Sequence, residues 1–235
     1  MKVFIVHAHP ESKSFSSALK DRAFDHFEAG GHDVRISDLY RMSRNPIASA
    51  ADFGSRRNSD YLVYALEQRH GYETDTIAAD IRSELDKLIW CDLLILNFPI
   101  FWFSMPAILK GWIDRVFISG LCYGGRRFYD EGGLRGKKAM ITITLGGRPH
   151  MFGPEAIHGE LNDMLRHILR GTLAYTGFDV LPPFVGYHVP YIGNDERRQI
   201  LDDYEMYLSS FDSLVPFRFV SVDHFDDQLY PVTRC

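Results

Sequence analysis

At 235 residues the chain exceeds the commonest domain size but still fits one α/β domain, and 46% hydrophobic with 24% charged residues is an ordinary globular balance. Lys plus Arg total 26 against 31 Asp plus Glu, a net charge of −5, with no basic run long enough to track a phosphate backbone, which argues against nucleic acid as a partner. The start, Met-Lys-Val-Phe-Ile-Val-His-Ala-His, enters a strand at once without a charged leader or long apolar run, so a cytoplasmic protein without membrane insertion is expected.

Residues 2–8 form the first predicted strand, with Val3, Phe4, Ile5 and Val6 apolar without a break. After the turn from His9 to Ser14, residues Phe15, Ala18, Leu19, Ala23 and Phe27 recur at helical spacing until Gly30-Gly31. The turn lacks Gly-x-Gly-x-x-Gly, which disfavours the dinucleotide fold. It carries Ser14, Ser16 and Ser17 at a helix start, which suits either an anion, drawn by free N–H groups and the helix dipole, or a plain N-cap. Residues 33–39 alternate in the manner of an edge strand, and 40–74 have little periodicity, as functional or partner-binding loops do. Ile77, Ile81, Leu85 and Leu88 then mark a helix.

The stretch at 90–117 organises the rest. Residues 92–98 are an apolar run that reads as a strand buried on both faces, ending before Pro99. Pro106 opens a helix carrying Ile108, Leu109, Trp112, Ile113 and Val116. Between them Phe101, Trp102 and Phe103 stand in a row on a loop at a strand's carboxyl end, where open α/β sheets bind ligands. Three such rings cover something flat and apolar, or else plug the sheet or a subunit interface.

A fourth strand, 137–144, ends at Leu145-Gly146-Gly147, where paired glycines permit close backbone approach or a sharp turn. Ile157, Leu161, Leu165, Ile168 and Thr172 predict a helix closed by Gly177, followed by a strand at 178–181 and a helix over 194–211. Residues 212–235 are aromatic and aperiodic, expected to drape over this domain or a partner. No linker or repeat divides the chain, so 1–235 reads as a single α/β domain with a five-stranded parallel sheet in three layers, order 2-1-3-4-5 as first choice.

Cys91, Cys122 and Cys235 are odd in number and lack a Cys-x-x-Cys pair, which argues against a disulfide framework or thiolate metal site; Cys91 reads as a small buried residue. His7 and His9 could bind zinc only with a third ligand, and none is placed to help, so no metal is expected. A Gly-x-Ser-x-Gly elbow is absent, which removes a serine triad.

His9 with Ser14-Phe15-Ser16, the block from Phe98 to Phe117, Tyr129-Asp130, Thr144-Leu-Gly-Gly147 and Ile157-His-Gly159 together resemble the flavodoxin-like NAD(P)H:quinone oxidoreductases of the DT-diaphorase type, bacterial modulators of drug activity included. The resemblance covers residues 3–211, and its aromatic block is highly specific. It implies a flavodoxin-like homodimer with one flavin per subunit near the interface. His9, Ser14, Phe15 and Ser16 would hold the phosphate and ribityl region. Pro99, Ile100, Phe101, Trp102 and Phe103 would bracket the isoalloxazine, and Thr144, Leu145, Gly146 and Gly147 would give it backbone contacts. Arg197 would lie near the adenine, and Trp102, Phe103, Phe152, His158 and the partner's Tyr123 would line the substrate pocket.

Two positions depart from the family pattern. Phe152 replaces a tyrosine, which leaves His158 alone of a Tyr/His pair proposed to stabilise reduced flavin, and Gly125 replaces an aromatic, which widens the pocket. The implied activity is ping-pong transfer of a hydride from NADH or NADPH through FAD, with FMN the alternative, to a quinone. Gly146 and Gly147 N–H groups would meet charge at the flavin's pyrimidine edge. FAD is preferred because the 40–74 insertion and Arg197 match the FAD-using branch. A regulatory flavin-binding subunit of a potassium-efflux system and an FMN-dependent azo- or nitroreductase are the competing readings.

Overall fold

The computed structural model describes residues 1–232. Strands β1 (Lys2–His7), β2 (Asp33–Asp38), β3 (Leu93–Pro99) and β4 (Lys138–Thr144) run parallel, joined on the β4 edge by β5 (Asp179–Val180) and β6 (Phe184–Gly186). The order is β2-β1-β3-β4-β5, as expected, but the fifth position holds two short segments, so the sheet has six strands rather than five. Asp179 and Val180 pair with Lys138 and Ala139, whereas Phe184 to Gly186 pair with Thr142 to Thr144. Pro182 and Pro183 separate them because neither has an N–H to give to the ladder. β3 also runs one residue past its expected end, with Pro99 in register with Thr144.

Alternation along the strands feeds two cores. Val3, Ile5, Leu93, Ile95 and Met140 face Leu19, Ala23 and Phe27 of α1 (Phe15–Ala29) and Tyr204 and Leu208 of α7 (Asn194–Ser209). Phe4, Val6, Leu94, Leu96 and Ile141 belong to the core shared with Leu85 and Leu88 of α3 (Ala79–Trp90) and Leu109 and Trp112 of α4 (Ala107–Val116). Both faces are covered, which is why the central strands read as unbroken apolar runs. Each fully buried Leu, Ile or Phe contributes about 1.5–3 kcal/mol.

On the α1 side this apolar pattern stops at the carboxyl ends. His7, Asn97, Thr142 and Thr144 follow Ile5, Ile95 and Met140 on the same face, and all four are buried. His7 meets Asn97 Oδ1 through Nδ1 at 2.6 Å and Ser17 Oγ through Nε2 at 3.1 Å, and Ser16 Oγ meets Thr144 Oγ1 at 2.7 Å. Buried polar groups need such partners, so the start of α1 is pinned to the strand ends.

The helix predicted from Ile157 begins later and is broken. Ile157 is 82% exposed on a turn, and α5 (Leu161–Met164) and α6 (Arg166–Ile168) give way to a π turn over Leu169–Leu173. There Thr172 Oγ1 donates to the His167 carbonyl at 3.1 Å, a side-chain bond that competes with the regular ladder. The 40–74 segment is less irregular than its sequence suggests. It holds α2 (Tyr64–Glu73) and is tied to α4 where Arg115 pairs with Asp52 at 2.9 Å.

After α7, two contacts tie the chain back to the sheet side and the loop before β4: Phe217 N–H donates to the Val180 carbonyl at 2.8 Å, and Ser221 Oγ to Asp130 at 2.6 Å. Cys91 and Cys122 are buried free thiols, and burial pushes Cys91 up to about 11. Cys235 lies outside the described residues. Among those residues no helix is long and apolar enough to cross a membrane.

Candidate active site

Two cavities at the carboxyl edge of the sheet share Ile100, Leu145 and Gly146. The first, about 210 Å³, is lined by His9, Phe15, Ser16, Pro99, Phe101 and Thr144 besides the shared residues. The second, about 280 Å³, adds Trp102, Phe103, Gly147, Phe152, His158 and Met164. They form one trough that runs from the N-terminus of α1, across Gly146, to an aromatic end.

The α1 end suits an anion. Ser14 is the N-cap, its Oγ accepting from Ser17 N–H at 3.1 Å, so it supports the helix start and does not line the cavity. The N–H groups of Phe15 and Ser16 lie in the unbonded first turn. His9 accepts from Glu11 N–H at 3.0 Å through Nδ1, and burial lowers its pKa, so it faces the trough as a neutral imidazole with Nε2–H free to donate.

The floor is Leu145-Gly146-Gly147, held by the loop after β6. Leu145 N–H donates to Gly186, Val189 N–H to the Leu145 carbonyl and His188 N–H to the Gly147 carbonyl, while His188 Nδ1–H takes the Gly146 carbonyl at 2.8 Å. With those carbonyls turned to that loop, the N–H groups of Gly146 and Gly147 are left without a partner among the described residues. A Cβ on Gly146 would meet nothing nearer than Tyr191 at 3.5 Å, whereas one on Gly147 would reach Phe152 at 2.9 Å. Gly146 therefore presents open backbone, and Gly147 makes room for the Phe152 ring.

The aromatic end is built on a strained turn. Phe101 and Ser104 exchange both backbone hydrogen bonds, at 2.9 and 3.0 Å, around Trp102 (φ 50°) and Phe103 (φ 59°). This is a two-residue turn with both central residues left-handed, a place usually taken by Asn-Gly. Each such residue costs roughly 1–2 kcal/mol, and that strain concentrates at functional sites. It leaves Trp102 96% exposed, with Phe101 and Phe103 half-exposed. Phe103 and Phe152 lie 5.5 and 5.2 Å from the His158 ring, which stands on a turn rather than a helix.

The trough thus gathers His9, Phe15, Ser16, residues 99–103, 144–147, Phe152 and His158. Arg197 stands behind it: Nη2 donates to the carbonyl of Val189, a lining residue, and its buried Nε has no partner. Tyr123 is elsewhere in the same chain, in a cleft with Tyr175. Met164, Val189 and Pro190 also line the trough; no periodicity marked them, although a strand ending at Gly186 would have pointed to the loop that follows. His7 is held by Asn97 and Ser17 instead of facing a ligand, and among the described residues no three His, Cys, Asp or Glu side chains converge as a metal site.

An open parallel sheet of this order with its cleft at the switch between β1 and β3 defines a flavodoxin-like α/β protein. The family model for the flavodoxin-like fold matches residues 1–208. Human ribosyldihydronicotinamide dehydrogenase [quinone] is 40% identical over 199 residues, 84% of this chain and 86% of the human protein. NAD(P)H dehydrogenase [quinone] 1 of Cavia porcellus is 37% identical over 226 residues, 96% and 82% of the two chains. A crystal structure of a candidate quinone reductase from Klebsiella pneumoniae superposes with a TM-score of 0.92 at 36% identity, covering 99% of this chain and 92% of the other. The chain belongs to the NAD(P)H dehydrogenase [quinone] family of flavodoxin-like oxidoreductases.

Proposed function

We propose that the chain is a flavin-dependent NAD(P)H:quinone oxidoreductase with FAD as its cofactor, working by ping-pong transfer as a homodimer. The observation that carries this reading is the trough itself, with a helix N-terminus at one end, open glycine backbone in the middle and solvent-facing aromatic rings at the other. The residues fit the cofactor: Gly146 leaves open a space that a Cβ would fill, and Arg197 Nε is a buried donor in need of an acceptor.

Phe15, Ser16 and His9 would hold a phosphate. Phe101 and residues 144–146 would bracket the ring, and the Gly146 and Gly147 N–H groups would donate to negative charge at its pyrimidine edge. A bound flavin would supply the redox chemistry, hydride transfer from a dihydronicotinamide and two-electron reduction of a quinone. The chain's task is to position both substrates against Trp102, Phe103, Phe152 and His158 and to exclude water. Phe152 has no hydroxyl, so His158 is the polar side chain at that wall. The strained, exposed Trp102 and the separate Tyr123–Tyr175 cleft support a dimer in which one subunit's Tyr123 completes its partner's pocket. Arg197 and the 40–74 insertion favour FAD over FMN.

Purified protein reconstituted with FAD or FMN should lose its yellow absorbance anaerobically on addition of NADH or NADPH and regain it with menadione. Absence of bleaching with every dihydronicotinamide donor would end this reading.

A further inference from the structure

The glycine floor of the trough is held from outside by one residue. His188 lies on the loop after β6, where its N–H donates to the Gly147 carbonyl at 2.9 Å and its Nδ1–H to the Gly146 carbonyl at 2.8 Å. The N–H of Val189 takes the Leu145 carbonyl at 3.2 Å. A planar trans peptide points its C=O and N–H to opposite sides, so each carbonyl bonded by this loop turns the N–H of the same peptide away from the loop. The free N–H groups of Gly146 and Gly147 are the far ends of two such peptides.

The partners of the His188 ring fix where its proton sits. A carbonyl can only accept, so Nδ1 carries the hydrogen; Arg148 Nε can only donate and meets His188 Nε2 at 3.3 Å, so that nitrogen is the acceptor. Arg148 thereby selects the tautomer that bonds Gly146, and each bond along the line from guanidinium through imidazole to peptide polarises the next. Glu196 and Asp203 keep their negative charges on the wall of the cavity that Arg148 and His188 line, so Arg148 acts through the ring it orients rather than as a bare charge. His188 is also left-handed, with φ 56°, a conformation uncommon outside glycine, so the loop accepts strain to keep the ring there.

We propose that His188 is a positioning residue, oriented by Arg148, that polarises the Gly146–Gly147 peptide so that the Gly147 N–H binds the charge which reduction places on the flavin's pyrimidine edge, in a pocket where Phe152 offers no hydroxyl. This rests on the oxidoreductase reading above and adds to it a residue that stands outside the trough.

The test is the two-electron midpoint potential of the bound flavin, titrated with dithionite so that no dihydronicotinamide need react. His188→Leu removes the donor while keeping a branched side chain, and should weaken binding of reduced relative to oxidised flavin about tenfold, a fall of about 30 mV. His188→Asn should restore most of that, since its Nδ2 sits where Nδ1 does and asparagine tolerates left-handed φ. Arg148→Met should lower the potential by less than His188→Leu does, and should have no effect beside His188→Asn, whose amide needs no tautomer selected. An equal fall in His188→Leu and His188→Asn would show that only the shape of the loop matters, and an Arg148→Met effect undiminished beside His188→Asn would show that Arg148 acts as a charge. Either overturns the proposal, as does an unchanged potential. Flavin-free protein gives an independent readout: the Gly147 amide proton resonance should move upfield in His188→Leu and return in His188→Asn. A resonance indifferent to both overturns the proposal even where flavin binds. If the resonance moves as expected but the wild type takes up no flavin, the polarised N–H stands and the oxidoreductase reading is what fails.

Discussion

Two polar regions of this molecule differ in how their groups are satisfied. At the node between the 40–74 segment and α4, the Arg115 and Asp52 side chains are 4% and 3% exposed. Arg115 meets both oxygens of Asp52, at 2.9 and 3.2 Å, together with Asp80 at 2.8 Å and the Asn45 carbonyl at 2.9 Å, and Tyr64 completes Asp52 at 2.6 Å. In the trough, the N–H groups of Phe15, Ser16, Gly146 and Gly147 have no partner among the described residues, Arg197 Nε behind it has none either, and two consecutive residues are left-handed. At the node the chain itself offsets the cost of desolvating its charges, whereas the trough leaves its N–H groups facing solvent and open to a ligand, which separates a polar cluster that holds the fold from one that binds.

The largest expected effect follows from cutting the node. Arg115→Met leaves Asp52 buried beside Tyr64 without its cation and should cost about 3–5 kcal/mol in urea unfolding, with little change in flavin affinity per folded molecule. Loss of flavin binding without loss of stability would erase the distinction. A step smaller, Gly147→Ala should push Phe152 out of place and weaken flavin binding about tenfold, since its Cβ would lie 2.9 Å from that ring. Pairing it with Phe152→Leu, which removes the clashing atoms, should recover much of the affinity in a fluorescence titration.

The same division decides what could be read from the sequence. β1, β3 and β4 announced themselves because burial on both faces demands unbroken apolar runs, and α1, α3 and α4 because each buries an apolar stripe. α2 was illegible because its buried face is Glu67, Gln68 and Gly71. Glu67 accepts from the N–H groups of Arg57 and Asn58, Gln68 donates to the Asp114 carbonyl, and Gly71 admits Ile77 and Phe53. A helix that binds through hydrogen bonds and close approach leaves no hydrophobic period. Within the trough, the resemblance named most lining residues, but not the Trp102-Phe103 turn, since nothing in two aromatic residues encodes positive φ, nor Val189 and Pro190, which depend on the strand re-forming after Pro182-Pro183.

That turn offers a smaller test of opposite sign. Trp102 is almost wholly exposed, so Trp102→Asn forfeits little packing while putting a residue tolerant of left-handed φ at the first turn position. Stability should rise by about 0.5–1 kcal/mol, seen as a higher melting temperature, while quinone turnover falls several-fold. A variant both more stable and fully active would mean that the strain serves no ligand.

The smallest effect is a pH dependence that separates the histidines at the end of β1 from the node by window. Burial is the main cause lowering the pKa of His7, against an opposing hydrogen bond from Asn97, so the unfolded chain takes up a proton near pH 6.5 while the folded one resists. More protons on the unfolded state mean stability that is full above that pH and declines as pH falls towards the folded value. Half-buried His9 acts in the same direction. At Asp52, burial raises the pKa, but bonds from Arg115 and Tyr64 outweigh it and hold the carboxyl below the usual range, so the node's contribution is present above about pH 4 and is lost only below it. Melting temperatures taken from pH 7.5 downwards should therefore fall in two stages. His7→Gln should flatten the first, without abolishing it while His9 remains, and leave the second intact. Asp52→Asn should do the reverse, and loss of both stages in either variant would show that the strand-end histidines and the node act as one electrostatic unit.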